Sequence, residues 1–164
     1  EMSQSDWSSD VCSSDLVDRL KEEITMIQII AGEKGKGKTK QLLDKVNTEI
    51  KTAHGSIVYL DKNAKHMYEL NNKIRLIDTS AFPIGNSDEF IGFICGILSQ
   101  DHDLEQMYLD SFLKVAKLEG CDISTTIEKL DKIGETFGVN FVLSVSMNEC
   151  DLPECAKSKV IVSL

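Results

Sequence analysis

The stretch Gly32-Glu33-Lys34-Gly35-Lys36-Gly37-Lys38-Thr39 matches the pattern G-x-x-x-x-G-K-[ST] at each of its fixed positions. Ahead of it, Ile27-Gln28-Ile29-Ile30-Ala31 is an apolar run that predicts a short buried strand. Behind it, the segment Thr39 to Lys51 carries Leu42, Leu43, Val46 and Ile50 at helical spacing. A strand, a glycine loop and a helix in that order form the setting in which this motif holds phosphate.

The spacing follows from the shape of a phosphate chain. Glycines let the loop take backbone angles that other residues resist, so that successive N–H groups point at one anion. The helix that starts around Lys38 adds its own unpaired N–H groups and the positive end of its dipole. In this Walker A geometry Lys38 reaches the β- and γ-phosphates and acts on the transferred group. The Thr39 hydroxyl is placed to ligate Mg²⁺. The expected nucleotide contacts are therefore Gly32, Glu33, Lys34, Gly35, Lys36, Gly37, Lys38, Thr39 and Lys40. Lys34, Lys36 and Lys40 make the loop more basic than the pattern requires.

Along the rest of the chain, apolar runs alternate with helical periods. Ser56 to Leu60 predicts a strand ending at Asp61, and a short polar helix is expected near Ala64 to Leu70. Lys73 to Ile77 predicts a strand ending at Asp78. Ser87 is placed to cap a helix carrying Phe90, Ile91, Phe93, Ile94, Ile97 and Leu98. Gln106 to Leu109 predicts a strand ending at Asp110. A helix begins at Asp122 or Ser124, runs through Ile127, Leu130 and Ile133 to Phe137, and is closed by Gly138. Asn140 to Ser146 and Lys159 to Ser163 complete the strands. The alternation predicts an α/β fold, a mostly parallel sheet with helices on both faces.

A Mg²⁺-nucleotide site calls for a carboxylate at the end of a neighbouring strand. Asp61, Asp78 and Asp110 all end predicted strands. In sheets of this type the strand after the first helix lies far from the loop and a later one lies next to it. That order favours Asp110 over Asp78 as the metal ligand and as a catalytic residue beside Lys38. The alternative for Asp110 is a strand-end aspartate that caps the helix after it.

With these elements in place the chain resembles the RecA-like P-loop NTPases, in which a strand ending Asp-Ser follows a longer helix, as Leu109-Asp110-Ser111 does here. It is also similar to small bacterial ATP-binding proteins often described as twitching-motility ATPases, although the histidine- and acid-box segments of pilus motors are missing. The resemblance implies a RecA-like core, ATP and Mg²⁺ as ligands, and ATPase activity. It covers most of residues 26–147 in topology, with only the glycine loop specific in sequence. The group usually carries a water-activating glutamate after the second strand. Here the stretch is Asp61-Lys62-Asn63, in which Asp61 reads as a surface strand-end residue. Ser144 or Ser146 stands where the group places a polar γ-phosphate sensor. The last arginine is Arg75, so an arginine finger in cis is not expected, and hydrolysis is expected to be weak or stimulated by a partner.

Two other functions stay open. One is a nucleoside or small-molecule kinase, since Gly37 to Leu43 is similar to the loop and helix of thymidine kinases, although their zinc-bearing segment is missing. The other is a nucleotide-binding switch that does not hydrolyse. No Asn-Lys-x-Asp base-reading motif occurs, which favours ATP over GTP.

The first 25 residues read differently. Asp6 to Leu16 is similar to one reading frame of a DNA-sequencing adapter, and Lys21-Glu22-Glu23 can be encoded as a ribosome-binding sequence just ahead of Met26. Residues 1–25 are therefore expected to be a non-native or disordered segment, and residues 26–164 one P-loop nucleotide-binding domain. The first 25 residues carry two basic and seven acidic side chains, so the remainder has net charge −4 instead of −9. Mild acidity gives no support for nucleic-acid binding. No apolar run approaches the roughly twenty residues that span a bilayer, and a cytoplasmic location with reduced thiols is expected. Cys150 and Cys155 lack the second pair that a zinc site needs. The three histidines fall in polar surroundings and are expected at the surface. A protein partner or a second copy of the chain is the expected macromolecular contact.

Overall fold

The computed structural model describes residues 26–164; the expectation for residues 1–25 lies outside them. Six strands form one sheet: β1 (Ile27–Ala31), β2 (Ser56–Asp61), β3 (Arg75–Asp78), β4 (Leu104–Leu109), β5 (Asn140–Val145) and β6 (Val160–Ser163). The order is β3-β2-β4-β5-β1-β6, and every pairing is parallel. Between the strands run α1 (Lys38–Glu49), α2 (Ser87–Gln100), α3 (Phe112–Val115), α4 (Ser124–Phe137) and α5 (Glu154–Lys157).

A parallel sheet needs cover on both faces, and alternation along each strand supplies two cores. Ile30, Ile57, Tyr59, Tyr108 and Val142 face α1, which buries Leu42, Leu43 and Val46 against them. Tyr59 and Tyr108 stack there with ring centroids 6.4 Å apart. Ile27, Ile29, Val58, Leu60, Met107, Leu109, Phe141 and Leu143 face the other way. On them pack Phe90 and Ile94 of α2, Phe112 of α3, Ile127 and Leu130 of α4 and Ala156 of α5. Each such aliphatic or aromatic side chain contributes roughly 1.5–3 kcal/mol on full burial. A charge at Val46, which is fully buried, would unseat α1 and with it the glycine loop. The α/β class, the parallel sheet and helices on both faces are as the sequence predicts.

Several local expectations change. The neighbours of β1 are β5 and β6, so the strand that ends at Asp110 lies one place beyond β5 instead of beside the loop strand. Asn86, not Ser87, caps α2: its side chain accepts from the Glu89 N–H, with Asp88 and Glu89 in the first turn. The polar helix near Ala64 shrinks to a 3₁₀ turn at Met67–Glu69. Among the described residues no helix is long and apolar enough to cross a membrane.

Candidate functional site

The glycine loop joins β1 to α1 through left-handed backbone at Gly35 (φ 87°) and Gly37 (φ 89°), where a side chain would be strained. Gly37 is also the N-cap of α1. The loop is tied to the segment after β5, since the Gly32 N–H donates to the Met147 carbonyl (2.9 Å) and Asn148 donates to the Glu33 carboxylate (2.9 Å). Among the described residues, the amides of Gly35, Gly37, Lys38 and Thr39 find no acceptor in the protein. They form a cluster of free donors at the positive end of a helix. The Lys38 ammonium bends back across the loop and donates to the Glu33 carbonyl at 2.8 Å. It is nearly buried. Burial pulls its pKa below the ordinary lysine value, and the Asp110 charge opposes that shift.

Opposite the loop, the carboxyl ends of β2 and β4 present a buried acid pair. Asp110 is 1% exposed. Its Oδ1 accepts from the Thr39 hydroxyl (3.2 Å) and from the Ser111 N–H (2.8 Å), and its Oδ2 accepts from the Tyr59 hydroxyl (2.9 Å). Burial first, then Asp110, pushes the Tyr59 hydroxyl far above its ordinary pKa, which keeps it a donor. Ser111 holds a left-handed conformation (φ 52°), sparsely populated for a residue with a side chain. Three neutral donors thus bond to Asp110 as an acceptor, and a buried carboxyl group beside a threonine hydroxyl offers the hard oxygen ligands that suit Mg²⁺.

Asp61 overturns its reading as a surface residue, for it is 2% exposed. Parallel pairing of β2 between β3 and β4 brings its strand end into the sheet interior. Its Oδ1 accepts from the Lys62 N–H (2.7 Å), whereas Oδ2 has no partner. Burial, then the Asp110 charge, raises the Asp61 pKa above the usual carboxylate value. His66 is half-buried against this pair, contrary to its expected surface position, with one ligand atom each of Asp61, His66 and Asp110 within 4.8 Å of one another. His54 and His102 are exposed. Asp78 ends the edge strand β3 and accepts from the Ser80 N–H and hydroxyl, which makes it the cap of a 3₁₀ turn. The four cysteines among the described residues are free thiols.

A cavity of about 770 Å³ opens between loop and strand ends. Of the predicted loop contacts, Lys34, Gly35, Gly37, Lys38 and Thr39 line it; Gly32, Glu33, Lys36 and Lys40 do not. Gly32 is instead the close approach to the chain end, where a Cβ would sit 3.0 Å from the Leu164 Cβ. Ser144 and Ser146 are both on the wall. So are Lys62 and Lys114, which sequence reasoning missed, as it missed Tyr59. Both lysines follow carboxyl ends of strands, where ligands gather in open α/β sheets, and that rule was the available signal.

No family model and no curated protein matches the chain. Among solved structures, it is similar to the flagellar accessory protein FlaH of Methanocaldococcus jannaschii, at 13% identity and a TM-score of 0.49. The alignment covers 79% of this chain, which spans 63% of the FlaH chain.

Proposed function

We propose that residues 26–164 form a P-loop domain that binds ATP with Mg²⁺ and hydrolyses it weakly or on stimulation by a partner. One observation carries this reading. The Thr39 hydroxyl and the Asp110 carboxylate, 71 positions apart, meet at 3.2 Å beside a loop whose inner amides are free. A lone glycine turn has no reason to find a buried acid at that place.

In this reading Gly35, Gly37, Lys38 and Thr39 hold the phosphate tail through backbone N–H groups. Lys38 exchanges its bond to the Glu33 carbonyl for the β- and γ-phosphates. Thr39 and Asp110 hold Mg²⁺, Asp110 directly or through water, and the ion supplies neutralisation of developing phosphate charge when bound. Tyr59 and the Ser111 amide keep the Asp110 carboxylate in place. Ser144, buried on β5, and Ser146 face the end of the tail.

Weak activity is proposed because the acid in the position of the usual base is off the cavity wall, on which Glu119 is the one carboxylate among the described residues. Neither Asp61, in the region of the usual water-activating glutamate, nor Asp110 lines the cavity among the described residues; Asp110 meets it through its bond from the lining residue Thr39, and Asp61 has no such link. A general base must lie within hydrogen-bond reach of the water it activates. A partner or a second copy of the chain is proposed to complete the site, in the cytoplasm. Titration of the protein with ATP and Mg²⁺ by calorimetry, with Lys38→Ala as control, tests the reading. Saturable binding lost in the variant supports it; no heat from the wild type, or equal affinity in the variant, removes it.

A further inference from the structure

The cavity carries more positive charge than its glycine loop requires. Lys62, immediately after β2, and Lys114, in α3, line the wall that faces Lys38 and Thr39, and Lys34 joins them from the loop. Lys62 is backed by Asp61 through its own N–H (2.7 Å), and Lys114 lies three residues beyond Ser111. The two lysines therefore flank the acid pair on its cavity side. None of Lys34, Lys62 and Lys114 takes part in an ion pair among the described residues.

This gathering of like charges has an energetic cost. Burial, then Lys114, then Lys34 lower the Lys62 pKa, so these ammonium groups repel one another across the wall. An anion between them removes that repulsion and gains charge-assisted hydrogen bonds. The chain as a whole is acidic, with net charge −9, so a cluster of unpaired lysines in one concave place is not a general surface property.

Resting on the nucleotide reading above, we propose that Lys62 and Lys114 form a cationic clamp on the terminal phosphate, so that the protein distinguishes ATP from ADP. The loop amides and Lys38 hold the part of the tail that the two nucleotides share. In the proposed clamp the opposite wall takes the γ-phosphate, which the diphosphate lacks. The clamp supplies in cis the positive charge that the absence of any arginine after Arg75 otherwise leaves unfilled. It also explains why the wall facing the loop is lysine-rich where Asp61 is withdrawn. Lys62 and Lys114 are neither loop residues nor metal ligands, and since Lys62 is exposed and Lys114 half-buried, both can be substituted without disturbing the core.

Equilibrium titrations with ADP and with a β,γ-imido analogue of ATP, at fixed Mg²⁺, test the clamp on the full chain. Wild type is expected to bind the triphosphate about tenfold or more tightly than the diphosphate, given charge-assisted contacts made by one and not the other. In Lys62→Gln/Lys114→Gln that preference is expected to fall to within about twofold, with ADP affinity unchanged. Lys62→Arg/Lys114→Arg is expected to restore it. Retention of the wild-type preference in the glutamine variant overturns the clamp, as does an equal loss of both nucleotides, which would mark general electrostatic attraction. Absence of binding of either nucleotide by wild type removes the nucleotide reading itself, and the clamp with it.

Discussion

The loop wall of the cavity comes from one continuous stretch, Lys34 to Thr39, while the facing wall gathers Lys62, Ser111, Lys114 and Ser144 from the ends of β2, β4 and β5. The first is set by glycine backbone angles and a helix start, both local properties. The second exists only because parallel strands β2, β4 and β5 lie side by side in the order the sheet adopts. The walls meet at the bond from Thr39 to Asp110. A local motif therefore makes a nest of free amides, and long-range strand order decides what else shares its cavity.

Removing the loop's cation is expected to have the largest effect. In Lys38→Ala the affinity for ATP falls on the order of 100-fold, the scale of losing a charged hydrogen-bond donor. Calorimetry checks this, and an unchanged affinity would mean that the first wall does not hold phosphate. A steric test addresses the second wall. A methyl group at Gly55 would collide with the Asp103 carbonyl oxygen and lie 2.7 Å from the Glu105 Cγ, wedging β2 from β4. Gly55→Ala is expected to destabilise by about 1–3 kcal/mol in urea unfolding, and no loss would show that the β2–β4 pairing tolerates displacement.

Asp110→Asn acts where the walls join. It is expected to weaken Mg²⁺-dependent nucleotide affinity about tenfold while leaving Mg²⁺-free binding nearly unchanged. Parallel titrations with and without Mg²⁺ read the difference, and equal losses would place Asp110 in a purely structural role.

The smallest effect is expected at Asp61. Its raised pKa means that the folded protein holds this proton more tightly than the unfolded chain. The stabilisation is complete below the ordinary aspartate pKa of 3.8 and is lost as pH rises through the elevated folded value. At pH 7 the buried carboxylate is therefore a liability, and Asp61→Asn is expected to stabilise the nucleotide-free protein by about 1 kcal/mol. Thermal unfolding across pH 4 to 8 should show a flatter profile in the variant. A variant less stable at pH 7 would indicate that the Asp61 charge is matched by a cation.

Much of the fold was legible because its signals are short in range. The run Ile27 to Ala31, the α1 period of Leu42, Leu43 and Val46, and the strand-ending aspartates each report on their own neighbourhood. Asp110 was singled out by chain order and does meet Thr39, though from a strand one place further off, since nothing local reports that β5 inserts beside β1. Asp61 was misjudged for the same reason. A strand-end aspartate looks alike in sequence whether its strand lies at an edge or between two partners, and here β3 and β4 bury it. Ser87 lost the capping role to Asn86 by one residue, the usual precision of helix ends.

By itself the sequence determined the glycine loop between strand and helix, the helix behind it and the alternating pattern that requires a covered parallel sheet, because each depends on backbone preference and local periodicity. Tertiary structure alone decided that Tyr59 and Thr39 both donate to Asp110, that Asp61 is buried without a partner for Oδ2, and that Lys62 and Lys114 share a cavity with Lys38. Those contacts join residues tens of positions apart, and only the lateral order of the strands brings their ends within reach of one another.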